Sequence, residues 1–475
     1  MNTLRIEIET SATSATSIPI ETDIHNDSTN AEILSDYYDD NLIWNIERKQ
    51  FYKWVDKIWV MMPFENVINE SRICLKNYFK QSLSKLPQPE IDENGKMQDY
   101  GRANIIYNYK YATSFRGVRC AVDFMKGMKS AHDTIFDNNP YLVPVDNGIY
   151  NLYDNTFRDY NKSDFITKVF DFNYNTSADC PNWLRFIDDT FTDEALKLYI
   201  QKLLGYCLSG LTDIQKLFFW YGVGENGKTV LRESIKQYWN DYAFIIKNQV
   251  FLISNNQSSG NATPDKAMLK GKRIAFSEEL QDNQKLNESE VKSLTGGDTL
   301  VARELYQSPI EFQPSHKIIM VGNHQPIIHG TDLGIWRRIN IVPFENIVPA
   351  HKVIDKSIFF KIFDNEKAGI LNWLIEGWQK YRIEKLKEPD IITRKVKEYR
   401  SEMDTVQRFL DDETDNVIGV SVLSKDLYER YKLWCFSQGE KFILSQNKFG
   451  KNIVEKGYSK MKTMNGVSFL NIKLR

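Results

Sequence analysis

KLFFWYGVGENGKT, residues 216–229, is the stretch whose reading decides the fold of this chain. An apolar run ends abruptly in a turn holding Gly222, Gly224 and Gly227. The turn fits the spacing G-x-x-x-x-G-K-[ST], in which glycines let backbone N–H groups curl round phosphate oxygens. Lys228 is expected to reach the β and γ phosphates and Thr229 to coordinate Mg²⁺, with Glu225 and Asn226 completing the loop. A helix from Val230 onward would point its positive end at the same anion. At ordinary residue frequencies the pattern arises by chance roughly 0.02 times in a chain this long. It implies ATP and Mg²⁺ as cofactors.

Working outward, residues 213–345 alternate strand-like and helix-like segments. KLFFWYGV, KRIAFSEE, HKIIMVGN and RINIVPF read as strands, which predicts a parallel α/β sheet with ligands at the carboxyl ends of its strands. A phosphate loop needs acids nearby. KRIAFSEEL supplies Glu278 and Glu279: one carboxylate to hold Mg²⁺ through water, the other to polarise the attacking water. Which does which stays open. HKIIMVGN ends in Asn323, a neutral amide able to orient that water. Arg337 and Arg338 precede the strand INIVPF. A guanidinium beside a nucleotide neutralises transition-state charge, and in ring motors it comes from the neighbouring subunit.

Composition sets the limits. The chain has 475 residues, 42% apolar and 26% charged, with 27 Phe, 24 Tyr and 10 Trp. Two to four domains of the soluble globular class follow. A net charge of −2 argues against a polycationic coat on DNA but not against a local basic site. Five cysteines, at 74, 120, 180, 207 and 435, form no C-x-x-C pair, so neither a zinc ribbon nor a disulfide framework is expected. His324 and His329 are a poor start for a metal site. No apolar run is long enough to cross a membrane and no signal peptide is recognisable, so the host cytoplasm is the expected location.

The domain boundaries follow composition. Residues 1–40 read as a disordered acidic tail, since 21–40 hold many acids and no Lys or Arg. An α+β domain is expected over 41–180, with small hairpins around Asn147-Gly148 and Asp154-Asn155. A helical collar is expected over 181–212, with Leu196, Ile200, Leu203, Leu204 and Cys207 on its apolar face. The motor core should span 213–350 and a helical segment with an acidic linker (DDETD, 411–415) 351–415. Residues 416–475 should form a small basic domain. Residues 417–475 hold eleven Lys or Arg against four Asp or Glu. Ser424 and Ser445 are candidate helix caps, and Asn465-Gly466 is a hairpin signal. Helix, basic helix and hairpin describe a winged helix, with Lys448, Lys451 and Lys456 facing DNA.

An ordered series of boxes carries more than any one of them: GVGENGKT (222–229), IAFSEEL (274–280), KSLTGGDTLVARELY (292–306), FQPSHKIIMVGNHQP (312–326) and DLGIWRRINIVPF (332–344). The series resembles the superfamily 3 helicases, in the poxvirus and phage/plasmid primase-helicase branch, over about residues 100–345. The segment 292–303 is its most specific element; NGIYNL (147–152) and CPNWLRF resemble the domain that precedes the motor there. The resemblance implies an AAA+-like core assembling as a hexamer with ATP between subunits. It assigns Lys228 and Thr229 as phosphate and Mg²⁺ ligands, Glu278 as the first Walker B acid and Asn323 as the polar sensor. Arg338 is the best match to the arginine finger, with Arg337 second. A Glu-Glu pair departs from the family's usual Asp-containing pair. The resemblance also places a DNA-gripping hairpin at LVARELYQSPIEFQPS, making Arg303, Tyr306 and Lys317 candidate DNA contacts along with Lys292.

The expected function is an ATP-dependent replicative helicase of a virus, phage or plasmid. Its partners would be single-stranded and forked DNA, further copies of itself and replication proteins. The rivals are an origin-binding initiator or loader with an ATPase switch, a primase-helicase with priming activity, and a structural nucleoprotein with a degenerate nucleotide site.

Overall fold

The computed structural model describes residues 26–253, 263–282, 284–305, 309–328, 333–347, 356–440, 443–463 and 466–475. The chain divides into two compact units, Met1–Asn138 with Tyr160–Thr167, and Asn139–Asp159 with Lys168–Arg475.

The first unit is α+β. A four-stranded sheet runs Ile58–Met62, Gln50–Val55, Leu42–Asn45, Ser130–Ala131. Helices Asp27–Tyr38, Phe64–Lys85, Arg102–Ala112 and Phe115–Met128 accompany it, with a two-stranded sheet of Glu90–Ile91 and Met97–Gln98. The expected disordered tail is corrected over 27–38. That segment is a helix capped by Asn26, and it buries Ala31, Leu34 and Tyr38 in one core with Leu75, Phe79 and Val118. Its acids Glu32 and Asp36 are exposed and Asp27 is half-buried, while the apolar set faces in. Residues 1–25 lie outside the described residues.

The second unit is built on a five-stranded, wholly parallel sheet: β1 (Leu217–Tyr221), β2 (Ala243–Ile246), β3 (Ile274–Glu279), β4 (Lys317–Gly322) and β5 (Ile339–Pro343). Their spatial order is β2-β3-β4-β1-β5. The chain order is thus broken between β3 and β1, with β4 inserted there. The strands are continuous apolar runs because both faces are covered; β4 and β5 are buried at every position.

The three-stranded antiparallel sheet Leu142–Val145, Gly148–Asn151, Thr156–Arg158 packs in this unit rather than in the N-terminal one expected from 41–180. Trp378 explains why: its indole Nε1 donates to the Leu152 carbonyl at 2.8 Å. The collar helices are Pro181–Thr190 and Glu194–Leu208. The second buries the five expected residues and nearly everything else. It lies against helix Lys367–Glu384 so closely that a Cβ on Gly205 would stand 2.3 Å from the Trp378 backbone nitrogen.

At the C-terminus the acidic linker expected at 411–415 is corrected. Those residues end helix Thr405–Glu413 and begin strand Thr414–Leu423, which pairs with Gly466–Leu474. The acids are held by cations: Arg430 on Glu413 and Arg475 on Asp415. Helices Ser424–Ser437 and Gln446–Glu455 and the strand Lys460–Thr463 complete this region. Leu427, Tyr431, Trp434, Phe449 and Ile453 are all buried, as the periodicity predicts. Neither serine caps with its side chain: Ser424 is the first helical residue, and Ser445, at the N-cap position, makes no such bond. The strand register pairs Thr463 with Gly466, which begins the last strand; Asn465 lies outside the described residues.

Candidate nucleotide site

The turn after β1 is held by contacts that leave two of its glycines, Gly222 and Gly227, no substitute. A Cβ on Gly222 would stand 2.2 Å from the Phe344 carbonyl oxygen, and Gly227 has φ +81°, where other residues are strained. Asn226, 3% exposed, donates its amide to the Phe344 carbonyl at 2.7 Å and also to the Val223 carbonyl. The turn is thereby pinned to the end of β5. Helix Lys228–Trp239 starts at once, with its first-turn amides at the turn. Thr229, Glu225 and Gly224 are exposed, and around Gly224 there is open space.

The Lys228 ammonium is folded onto the turn, donating to the Gly222 carbonyl at 2.5 Å and to Asn226 Oδ1 at 2.9 Å. Burial lowers its pKa, and the negative charge of Glu279 opposes that shift. The two groups therefore sense one another although a strand separates their own strands. Neighbouring strands lie about 4.8 Å apart, so the carboxyl ends of β1 and β3 are about 10 Å apart, with β4 between. Asn323, just past β4, fills that gap and donates from Nδ2 to Glu279 Oε1 at 3.0 Å.

A β-bulge sets how the acids emerge. The β3–β4 register shifts between Phe276 and Glu279. There the fully buried Ser277 hydroxyl accepts from the Val321 amide at 3.1 Å and donates to the Glu278 carbonyl at 2.8 Å. Asn248 donates to the Glu279 carbonyl at 2.8 Å. Glu278 and Glu279 are both exposed at the strand end. Lys228, Glu279 and Asn323 are thus brought together, with Thr229 and Glu278 at the same edge of the sheet. Sequence reasoning missed Ser277 and Asn248. The signal for Ser277 was available: one hydroxyl inside an apolar strand, immediately before the acids. It also missed Thr190, whose buried Oγ1 stands 3.0 Å from where a Gly227 Cβ would be.

The two candidate arginines differ in exposure. Arg338 is only 9% exposed, and its guanidinium donates to the Gly334 carbonyl at 2.8 Å within the same subunit. Its backbone carbonyl accepts from Leu217, the first residue of β1. Arg337, the next residue back, is exposed.

The expected DNA contacts divide similarly. Leu300–Ala302 and Ile310–Phe312 form the expected antiparallel hairpin, and Arg303 is exposed beside it. Tyr306 lies outside the described residues. Lys292 is half-buried on helix Glu288–Thr295, off the hairpin. Lys317 is corrected outright. It starts β4, is 4% exposed, and donates to the carbonyls of Ser209, Leu211 and Ser315 under the Tyr206 ring. Lys448 and Lys451 are exposed on the basic helix, whereas Lys456 is tied to Asp404 in an ion pair. His324 lies near Asp282, and His329 is outside the described residues. Among the described residues no cluster of three metal-ligating side chains occurs, and no helix is long and apolar enough to cross a membrane.

Three family matches cover most of the chain: "D5 N terminal like" over residues 31–192, a family of unknown function (DUF5906) over 220–338, and "Poxvirus D5 protein-like" over 401–469. The chain is 31% identical over 322 residues to a protein of Acanthamoeba polyphaga mimivirus named as an inferred helicase, covering 63% of this chain and 33% of that protein. A Frog virus 3 protein, also named as an inferred helicase, is 25% identical over 53% of this chain and 27% of its own. A protein of African swine fever virus named as an inferred primase is 25% identical over 62% of this chain and 33% of its own. The matched stretches thus span about a third of these relatives. The solved apo structure of the NrS-1 C-terminal region aligns over 95% of this chain and 100% of that one, at 11% identity and a TM-score of 0.49. The D5 matches over residues 31–192 and 401–469, together with the similarity to viral proteins named as inferred helicases and primases, support a poxvirus D5-like primase-helicase family for this chain.

Proposed function

We propose that this chain is an ATP-driven DNA helicase acting as a ring oligomer, its second unit an AAA+-like motor with a P-loop and its C-terminal region a winged helix. One observation carries the reading. Lys228, Glu279 and Asn323 meet at the carboxyl edge of a parallel sheet, beside a glycine turn that opens a helix.

The residues present fit ATP with Mg²⁺. The Lys228 ammonium rests on two neutral oxygens, a placeholder arrangement that an anion can displace. Thr229 and Glu278 are exposed oxygen donors of the kind Mg²⁺ prefers. When bound, the metal supplies charge neutralisation at the transferring phosphoryl group. Glu279 takes the role of base, because it is the acid that Asn323 orients. Asn323 positions the water that Glu279 deprotonates, and Lys228 holds the phosphate chain. Arg337 is exposed and free of the internal contact that engages Arg338, which supports it as the finger offered to a neighbour. Lys448 and Lys451 would face DNA phosphates from the C-terminal helix.

Phosphate release from ATP by the purified chain, with and without single-stranded DNA, tests the reading, together with unwinding of a forked duplex and particle size with and without ATP. DNA-stimulated release and ATP-fuelled strand separation by a multi-subunit particle are expected. A particle that hydrolyses ATP yet never separates strands would point to an initiator or loader, and one releasing no phosphate would end the motor reading.

A further inference from the structure

The N-terminal unit presents a row of aromatic rings that its own core does not use. Helix Arg102–Ala112 buries only Ile105 and Ala112. Tyr107 is 73% exposed, and Tyr111, 37% exposed, lies one turn further along the same face. Phe115, at the start of the next helix, is again 73% exposed. Leaving rings of this size in water is unfavourable unless something covers them.

The row is rigid. Ser114 Oγ donates to the Tyr111 carbonyl at 2.7 Å and accepts from the Gly117 amide at 3.1 Å. A Cβ on Gly117 would stand 2.2 Å from the Tyr111 carbonyl oxygen, so the corner between the helices closes only on glycine. The Tyr111 hydroxyl is tethered to Asp27 at 2.9 Å.

Positive charge accompanies the rings. Residues 102–128 contain five Lys or Arg against the single acid Asp123. Arg102 is engaged by the carbonyls of Leu83 and Leu86, and Lys126 by Asp123. Lys110 and Arg116 are exposed, and among the described residues neither makes an ion pair. The Arg116 charge is close enough to act on the Tyr111 hydroxyl.

Exposed rings alternating with free cations match one polymer best: bases stack on rings whatever their sequence, while phosphates pair with the cations. A duplex hides its base faces, so the rings would gain nothing from it. We propose that Tyr107, Lys110, Tyr111, Phe115 and Arg116 form a stacking platform for single-stranded nucleic acid, in the unit that does not carry the nucleotide site.

The test is fluorescence anisotropy of the full chain, without nucleotide, against labelled oligo(dT) and a blunt duplex of equal length. Doubly substituted Tyr107→Ala/Phe115→Ala protein should bind oligo(dT) about tenfold or more weakly, as expected for two lost stacks, with duplex affinity unchanged. Tyr107→Phe should bind as the parent does, because the ring and not its hydroxyl is the contact. Lys110→Glu/Arg116→Glu should reduce the slope of log K against log salt by about 1.4, near 0.7 per lost phosphate contact. Unchanged oligo(dT) affinity in the ring variant, or an equal loss on duplex, overturns the platform, as does a parent chain that binds neither probe. DNA-free ATP hydrolysis is measured on the same variants. If it persists while oligo(dT) affinity is unaltered, the platform fails and the motor reading stands; if the parent hydrolyses no ATP yet the ring variant loses oligo(dT), the reverse holds.

Discussion

The Asn323 side-chain amide donates to Glu279 Oε1 across 3.0 Å, joining the ends of two adjacent parallel strands. The bond fixes one of two consecutive acids and leaves the other outside it. That asymmetry is what separates their roles. Glu279→Gln should lower the ATPase kcat by about 10² or more while ATP still binds, the range seen when one preorganised catalytic group is lost. Glu278→Gln should instead raise the Mg²⁺ concentration needed for half-maximal rate. Titrating Mg²⁺ against each variant checks the assignment, and a Mg²⁺ shift in Glu279→Gln alone reverses it.

Asn323→Ala tests the same bond from its other end. Glu279 would keep its charge but lose its fixed direction. A kcat reduced about 10²-fold with nucleotide affinity within a few-fold is expected. Asn323→Asp should be worse, because a second carboxylate facing Glu279 repels it. Equal activity of the Ala and Asp variants would count against Asn323 as a positioning group.

Much of this site was legible in the sequence because each part sits at a strand end, where an apolar run stops and a polar residue begins. KLFFWYG, IAFSEE and IIMVGN announce themselves that way. Strand order was not legible: nothing in residues 317–322 says that β4 inserts between β3 and β1. The edge strand Ala243–Ile246 went unread because four residues give periodicity too little length. Lys317 was misread for a related reason. A lysine at a strand start looks exposed, and only the neighbouring carbonyls of Ser209 and Leu211 reveal that it is enclosed.

Arg337 and Arg338 differ by one position and should fail differently. Arg338→Ala removes a buried guanidinium and its bond to Gly334, so loss of about 2 kcal/mol or more of stability is expected. Arg337→Ala should melt like the parent, bind ATP, and lose turnover by about 10³-fold if it completes a neighbour's site. Mixing Arg337→Ala with Lys228→Ala subunits should then restore part of the rate, because some interfaces regain an intact loop and an intact arginine. Thermal melting with ATPase assays on the mixtures decides it; no restoration at any ratio removes Arg337 from the interface.

His316 offers a prediction about stability and pH. It immediately precedes β4, is 3% exposed, and burial drives its pKa down to about 3, helped by the charge of the adjacent Lys317 and opposed by the Leu294 backbone. Folding therefore holds the imidazole neutral. Between pH 3 and the ordinary value near 6.5, the unfolded chain binds a proton that the folded chain refuses, so stability rises with pH across that window. The contribution is complete above about pH 6.5 and drains away as the pH falls. Lys317 does not mask this, since its own pKa, lowered by burial to about 7, leaves it protonated below pH 6.5. His316→Phe cannot titrate. Measured by urea unfolding at pH 6.5, 5.5 and 4.5, the stability difference between variant and parent should move in the variant's favour by up to about 1.4 kcal/mol per pH unit. Carboxylates elsewhere titrate in both proteins and cancel. A difference that stays flat across those three pH values would mean that His316 takes up its proton in the folded chain as readily as in the unfolded one, and that its cavity is open to water.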